Sequence, residues 1–352
     1  MRMRAVQCCV ARQCAAVGML LGVAVLAILF AGCAAKTEKT SEGGKKPFRV
    51  GMVFDVGGRG DKSFNDGAYE GMLRAGRTVP METADFEPGH DADREVGLRR
   101  LAEHGFDVVI GVGFLFTESI RSVAPDFPGV AFVLVDGRLE NLPNVASLVF
   151  REEEGAFLVG ALAAMATKTG TLGFVGGMDV ALIHKFEAGY RAGAMRVRPD
   201  VRMLVGYAGV RPEAFADPVR GKEIALAQIG QGADVIFHAA GVTGLGVIEA
   251  ARDRGVYAIG VDSNQNGVAP GTVLTSMLKR VDVAVEREIL AVHGKEFRGG
   301  LVELGLREEG VGYALDENNR QLLTPEMLAR TQSLADSIIA GDIVVPRETR
   351  RS

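Results

Sequence analysis

The chain has 352 residues, 47% of them hydrophobic, and 40 basic against 44 acidic side chains give a net charge of −4. That acidic balance argues against a surface built to neutralise a phosphate backbone, which needs clustered Lys and Arg, so no nucleic-acid partner is expected. The four cysteines are Cys8, Cys9, Cys14 and Cys33, which leaves the body of the chain without a disulfide, a CxxC redox pair or a thiolate metal cage.

In chain order, Arg2, Arg4 and Arg12 precede an apolar run from Val17 to Phe30, and Ala31-Gly32-Cys33 follows. A basic start, a short apolar stretch and small residues at a cut site describe a secretory signal peptide. A Cys directly after that small pair resembles a bacterial lipobox, with Phe30 standing where Leu is usual. About 14 apolar residues is short for the ~20 that span a bilayer as a helix. Residues 1–32 are therefore expected to be a removed leader and Cys33 the lipidated first residue. Residues 33–46, polar and Gly-containing, read as a flexible tether. Loss of the leader's three arginines leaves 37 basic against 44 acidic residues, a charge of −7. The expected location is the cell envelope, lipid-anchored to a bacterial membrane and facing the periplasm or the exterior.

From Phe48 onward an apolar run, a turn, an amphipathic stretch and a Gly-bearing turn repeat. Strands are predicted at residues 49–54, 107–112, 130–135, 171–175, 201–207, 234–239, 256–261 and 272–278. Helices are predicted at 66–77, 93–104, 153–167, 185–197, 220–232, 243–254 and 325–340. Strands alternating with helices of 10–15 residues imply βαβ units and parallel sheets covered on both faces. The rhythm breaks near Asn141–Phe150, and the fold class is α/β with two doubly wound parallel-sheet lobes joined by hinge crossings. Residues 47–150 are expected to form lobe 1, with about 265–300 returning to it. Residues 151–264 form lobe 2, with about 301–345 returning, and 346–352 form a tail. A second crossing is expected after Val261, where Asp262–Pro270 is polar and turn-rich.

In such folds ligands bind beyond the carboxyl ends of the strands. Asp55 follows the first strand, then Asp61-Lys-Ser63-Phe64-Asn65. The nearby Gly58-x-Gly60-x-x-Ser63 lacks the third glycine of a dinucleotide fingerprint, and no Gly-Lys-Ser/Thr follows for an NTP loop. Asp136, Phe215, Gly241 and Asp262 stand after other strands, and Lys279 ends the strand at 272–278. Any one Asp here could be an Asx-turn former, and Phe64 could be a staple onto the sheet. Taken together, aromatic faces, carboxylates, amide and hydroxyl groups and one Lys suit a neutral polyhydroxylated ligand with an aromatic base. A negatively lined cleft would repel a phosphorylated one.

Four segments, Asp61-Lys-Ser-Phe-Asn65, Phe186-Glu-Ala-Gly-Tyr190-Arg-Ala-Gly193, Phe215-x-Asp-Pro-x-x-Gly-Lys222 and Gly260-Val-Asp262, resemble the basic membrane protein family of bacterial lipoproteins. The likeness runs from about Phe48 to Val345. It implies a type I periplasmic binding protein-like fold and delivery of purine nucleosides (guanosine, inosine or adenosine) to an ABC permease and ATPase. It further implies that Phe64 and Phe215 sandwich the purine and that Asp55 and Asn65 meet its edge. Asp262, the Gly241 backbone and Lys279 would hold the ribose, with Asp136 adding a polar contact and Ser63 beside them. Phe186 is expected to pack its helix, and His184 departs from the family pattern.

No catalytic residue, cofactor or metal is expected, and the chain is expected to be a monomer. The five histidines are scattered, and neither His-Glu-x-x-His nor Gly-x-Ser-x-Gly occurs. The alternatives are a lipid-anchored nucleoside hydrolase working through carboxylates, or a surface sensor or adhesin on the same fold.

Overall fold

The computed structural model describes residues 46–349. The expected leader, Cys33 and the tether up to Lys45 lie outside the described residues. Among the described residues no helix is long and apolar enough to cross a membrane, and no cluster of His, Cys, Asp or Glu could hold a metal ion.

Two six-stranded sheets organise the chain. The first is built from β1 (Phe48–Val53), α1 (Phe64–Thr78), β2 (Met81–Phe86), α2 (Asp93–Glu103), β3 (Val108–Val112), α3 (Thr117–Val123), β4 (Ala131–Val135) and β5 (Val145–Phe150). The second takes α4 (Glu152–Ala166), β6 (Thr171–Met178), α5 (Ala181–Val197), β7 (Arg202–Gly209), α6 (Pro218–Gly230), β8 (Val235–Ala239), α7 (Thr243–Arg254), β9 (Tyr257–Asp262) and β10 (Val273–Lys279). The chain then returns with α8 (Val281–His293) and β11 (Gly300–Leu304) before β12 (Val311–Tyr313) and α9 (Pro325–Ala340).

Strand order is β11-β5-β4-β3-β1-β2 in one sheet and β12-β10-β9-β8-β6-β7 in the other. Every neighbour pairing is parallel except β10 with β12. Each sheet reverses its winding once, between β1 and β3 in the first and between β6 and β8 in the second. These are the places where a crevice opens at the carboxyl ends of the strands. The inner strands β3, β4 and β8 are buried along their whole length, as strands covered on both faces must be.

The second crossing lies one strand later than the sequence suggests. β10 pairs with β9 and stays in the second sheet, so only α8, packed on α1, and β11, paired with β5, belong to the first. The polar stretch after β9 is a loop that folds back on its own lobe. Gln265 Oε1 accepts the Val261 N–H at 2.9 Å, and Gln265 N–H donates to Ser276 Oγ at 2.9 Å. Crossings therefore fall at Arg151, at Arg280 and at residues 305–310.

Helix pairs in the second lobe pack through glycine. A Cβ on Gly189 or Gly193 would lie 2.1 or 1.9 Å from the carbonyl oxygens of Glu153 and Phe157. The glycines of Phe186–Gly193 thus let α5 touch the backbone of α4. Tyr190, on the same helix, is fully buried against Phe237 with ring centroids 5.1 Å apart.

Candidate ligand-binding cleft

Between the two sheets lies a cleft with about 540 Å³ of atom-free space, within the usual range for small-molecule sites. Strand ends of both lobes supply its walls. Asp55 and Val56 come from the end of β1, Phe114 from the end of β3 and Asp136 from the end of β4. Ala239 ends β8 with Ala240 and Gly241 directly after it, Asp262 ends β9, and Lys279 ends β10. The start of α1 gives Phe64 and Asn65, the start of α5 gives Leu182, Ile183 and Phe186, and the turn after β7 gives Phe215.

Eight of the nine expected ligand contacts are thus brought to one cleft: Asp55, Phe64, Asn65, Asp136, Phe215, Gly241, Asp262 and Lys279. Ser63 is the exception and does not line the cleft. It is buried, and its one hydroxyl hydrogen is shared across the lobes between Val261 O at 3.1 Å and Asp262 Oδ2 at 2.9 Å. In return Ser263 Oγ donates to the Ser63 carbonyl at 2.6 Å. Phe186 both lines the cleft and packs on Phe237. His184 lies outside the lining and pairs with Asp179 Oδ1 at 2.6 Å.

The start of α1 is fixed by Asp61, a lining residue that the sequence reading leaves out of the site. Its carboxylate accepts the N–H groups of Ser63, Asn65 and Asp66 at 2.8–3.0 Å, and Asn65 Nδ2 at 3.2 Å. It satisfies donors that every helix N-terminus leaves free. Asn65 Oδ1 in turn accepts the Asp55 N–H at 3.0 Å. Asp55 has room because Gly113 sits at φ +110°, where a Cβ would lie 2.0 Å from Asp55 Oδ2. Burial pushes the Asp55 carboxyl up to about 7, although the Val56 N–H and Arg94 pull it down.

The opposite end is a buried charge cluster. Lys279 is 4% exposed and donates to Asp136 Oδ2. Its Nζ stands 3.7 Å from Glu152 Oε1 and 3.8 Å from Asp262 Oδ1. Phe64, Phe150 and Phe186 surround it, their ring centroids 4.7, 5.5 and 5.5 Å away. Burial opposes the Lys279 charge, but Asp136, Asp262 and Glu152 outweigh it and hold its pKa above the ordinary value. Burial pushes Asp262 up to about 6 and Glu152 up to about 7, each against the pull of Lys279. Asp136 Oδ1, Asp262 Oδ1 and Glu152 Oε1 are buried with no hydrogen-bond donor, and at the two lining residues, Asp136 and Asp262, this costly arrangement invites donors from a bound molecule. The described lining residues include no Ser, Cys or His.

Two lobes closing on a cleft of aromatic and charged groups at the strand ends define the class: a two-lobed solute-binding protein. The family model for ABC transporter substrate-binding proteins of the PnrA-like (Bmp) kind matches residues 48–349, and the chain belongs to that family. It is similar to an uncharacterized lipoprotein of Pyrococcus horikoshii, 38% identical over 307 residues covering 82% of this chain and 74% of that one. It is also similar to the ABC transporter nucleoside-binding protein BmpA of Lactococcus lactis, 32% identical over 351 residues, 93% of this chain and 96% of that one. Among solved structures, an ABC transporter solute-binding protein from Aeropyrum pernix superposes with a TM-score of 0.78 at 34% identity, covering 86% of this chain and 94% of that one.

Proposed function

We propose that this substrate-binding protein takes a purine nucleoside into the cleft and hands it, lobes closed, to an ABC permease and its ATPase. One observation carries the reading: Phe64 and Phe215, from opposite lobes, share a cleft with a buried Asp136–Lys279–Asp262 cluster that still has unpaired acceptor oxygens. The rings would stack on the base, an interaction of about 1–3 kcal/mol per base by analogy with single-stranded nucleic-acid sites. Asp55 and Asn65 would meet the base edge. The unpaired carboxylate oxygens, with the Gly241 backbone, would accept the pentose hydroxyls. The acidic lining would reject a phosphate. Binding is non-catalytic, and the protein acts as a monomer tethered through a lipid on Cys33.

A thermal-shift panel tests this, since a ligand that binds only the folded state raises its melting temperature. Inosine, guanosine or adenosine should raise it, whereas ribose and the nucleoside monophosphates should not. Phe64→Ala and Phe215→Ala should each weaken binding by about 1–3 kcal/mol. Inosine incubated with the protein should release no hypoxanthine; turnover would favour the hydrolase instead.

A further inference from the structure

The ammonium of the cleft is held from behind by a residue that does not line it. Glu152 is the first residue of α4, directly after the crossing at Arg151, and is 0% exposed. Its Oε2 accepts from Lys185 Nζ at 2.8 Å, and the same ammonium donates to the Phe150 carbonyl at 2.9 Å. Its Oε1 has no hydrogen-bond donor and points its charge at Lys279 Nζ, 3.7 Å away. Lys279 itself stands directly before the crossing at Arg280. Glu152 and Lys279 therefore join two of the three hinge crossings behind the cleft.

A counter-ion for Lys185 does not require this. The Lys185 side chain is 22% exposed and could reach water, whereas a buried carboxylate with one oxygen unpaired is costly to fold. The charges facing Glu152 are Lys279 and Lys185, with Asp136 beyond them. Removing its charge would leave Lys279 drawn only towards Asp136 and Asp262.

We propose that Glu152 is a positioning residue for ligand recognition: its unpaired oxygen sets where Lys279 presents its ammonium between Asp136 and Asp262. Because Glu152 does so from the hinge, recognition of the pentose is coupled to the arrangement of the two crossings. The inference rests on the nucleoside reading above, in which the pentose lies beside Lys279 and the base lies between the rings. The two halves of the ligand should then respond differently to Glu152.

Calorimetric titration with inosine and with hypoxanthine tests it. Glu152→Gln keeps an oxygen for Lys185 and removes the charge. It should weaken inosine binding about tenfold, the usual scale for a residue acting through another, and shift hypoxanthine binding by less than about twofold. Lys185→Met, which leaves Glu152 in place but loosens it, should produce the same selective loss on a smaller scale. If Glu152→Gln does not fold, Lys185→Met decides alone by the same criterion. Unchanged inosine affinity, or an equal loss for inosine and hypoxanthine, overturns the positioning role while leaving the nucleoside reading intact. A wild-type protein that binds neither compound overturns both.

Discussion

Asp55 differs from Asp136 and Asp262 in lacking a cationic partner at contact distance. Arg94 acts on it from farther off, while Asp136 and Asp61 add repulsion, and burial pushes it up to about 7. Its unfolded value is 3.8, so between those limits the folded state holds the extra proton. Stability is therefore lost as pH rises through that window, and Asp55→Asn should flatten this part of a plot of urea midpoint against pH. The ligand should feel the same proton. Inosine offers an N1–H donor and needs the carboxylate, whereas adenosine offers an N1 acceptor and needs the acid. Raising pH from about 6 to about 8 should tighten inosine and weaken adenosine, by at most about tenfold per unit; parallel profiles in calorimetry would remove Asp55 from the base edge. The polar and aromatic lining residues Asp55, Phe64, Asn65, Asp136, Phe215, Asp262 and Lys279 were legible because strand ends are visible in the sequence. Glu152 and Lys185 were not, because they act through Lys279 from helices whose positions only the assembled hinge reveals.

Helix pairs show what a sequence conceals about its own motifs. The Phe186–Gly193 segment carries part of the family resemblance, and its two glycines serve the contact of α5 with α4. Gly193→Ala would push a methyl against the Phe157 carbonyl, 1.9 Å away. The helix-propensity gain of about 1 kcal/mol should lose to an overpacking cost of about 1–3 kcal/mol, lowering the urea midpoint. Gly230→Ala, with nothing within 4 Å of the new Cβ, should be neutral or stabilising. Central strands were legible from their unbroken apolar runs, whereas three of the four sheet edges, β2, β11 and β12, were not. An edge strand such as Met81–Phe86 (METADF) is half solvated and carries polar residues that hide it. β5 escaped for another reason. Only Arg151 separates it from α4, so no turn signal marks its end, and it merges with the polar stretch before it.

The lobes are held together beside the cleft by Ser63, whose single hydroxyl hydrogen is shared between Val261 O and Asp262 Oδ2 of the second lobe and whose carbonyl accepts from Ser263 Oγ. Hinge closure around a ligand is the usual motion of such folds, and these bonds exist only when the lobes meet. Ser63→Ala should therefore disfavour the closed form by about 1–3 kcal/mol. It should weaken nucleoside binding without lowering the melting temperature of the ligand-free protein, and raise the radius of gyration measured by X-ray scattering with ligand present. Equal affinity in wild type and variant would mean that the contact forms no part of closure. A second contact between the lobes brings Val242 Cγ2 within 3.1 Å of where a Cβ on Gly57 would stand, and residues 46–349 contain no cysteine. A single thiol introduced as Val242→Cys could carry a fluorescent dye with no competing sulfhydryl in that body, turning the meeting of the lobes into an optical reporter of occupancy.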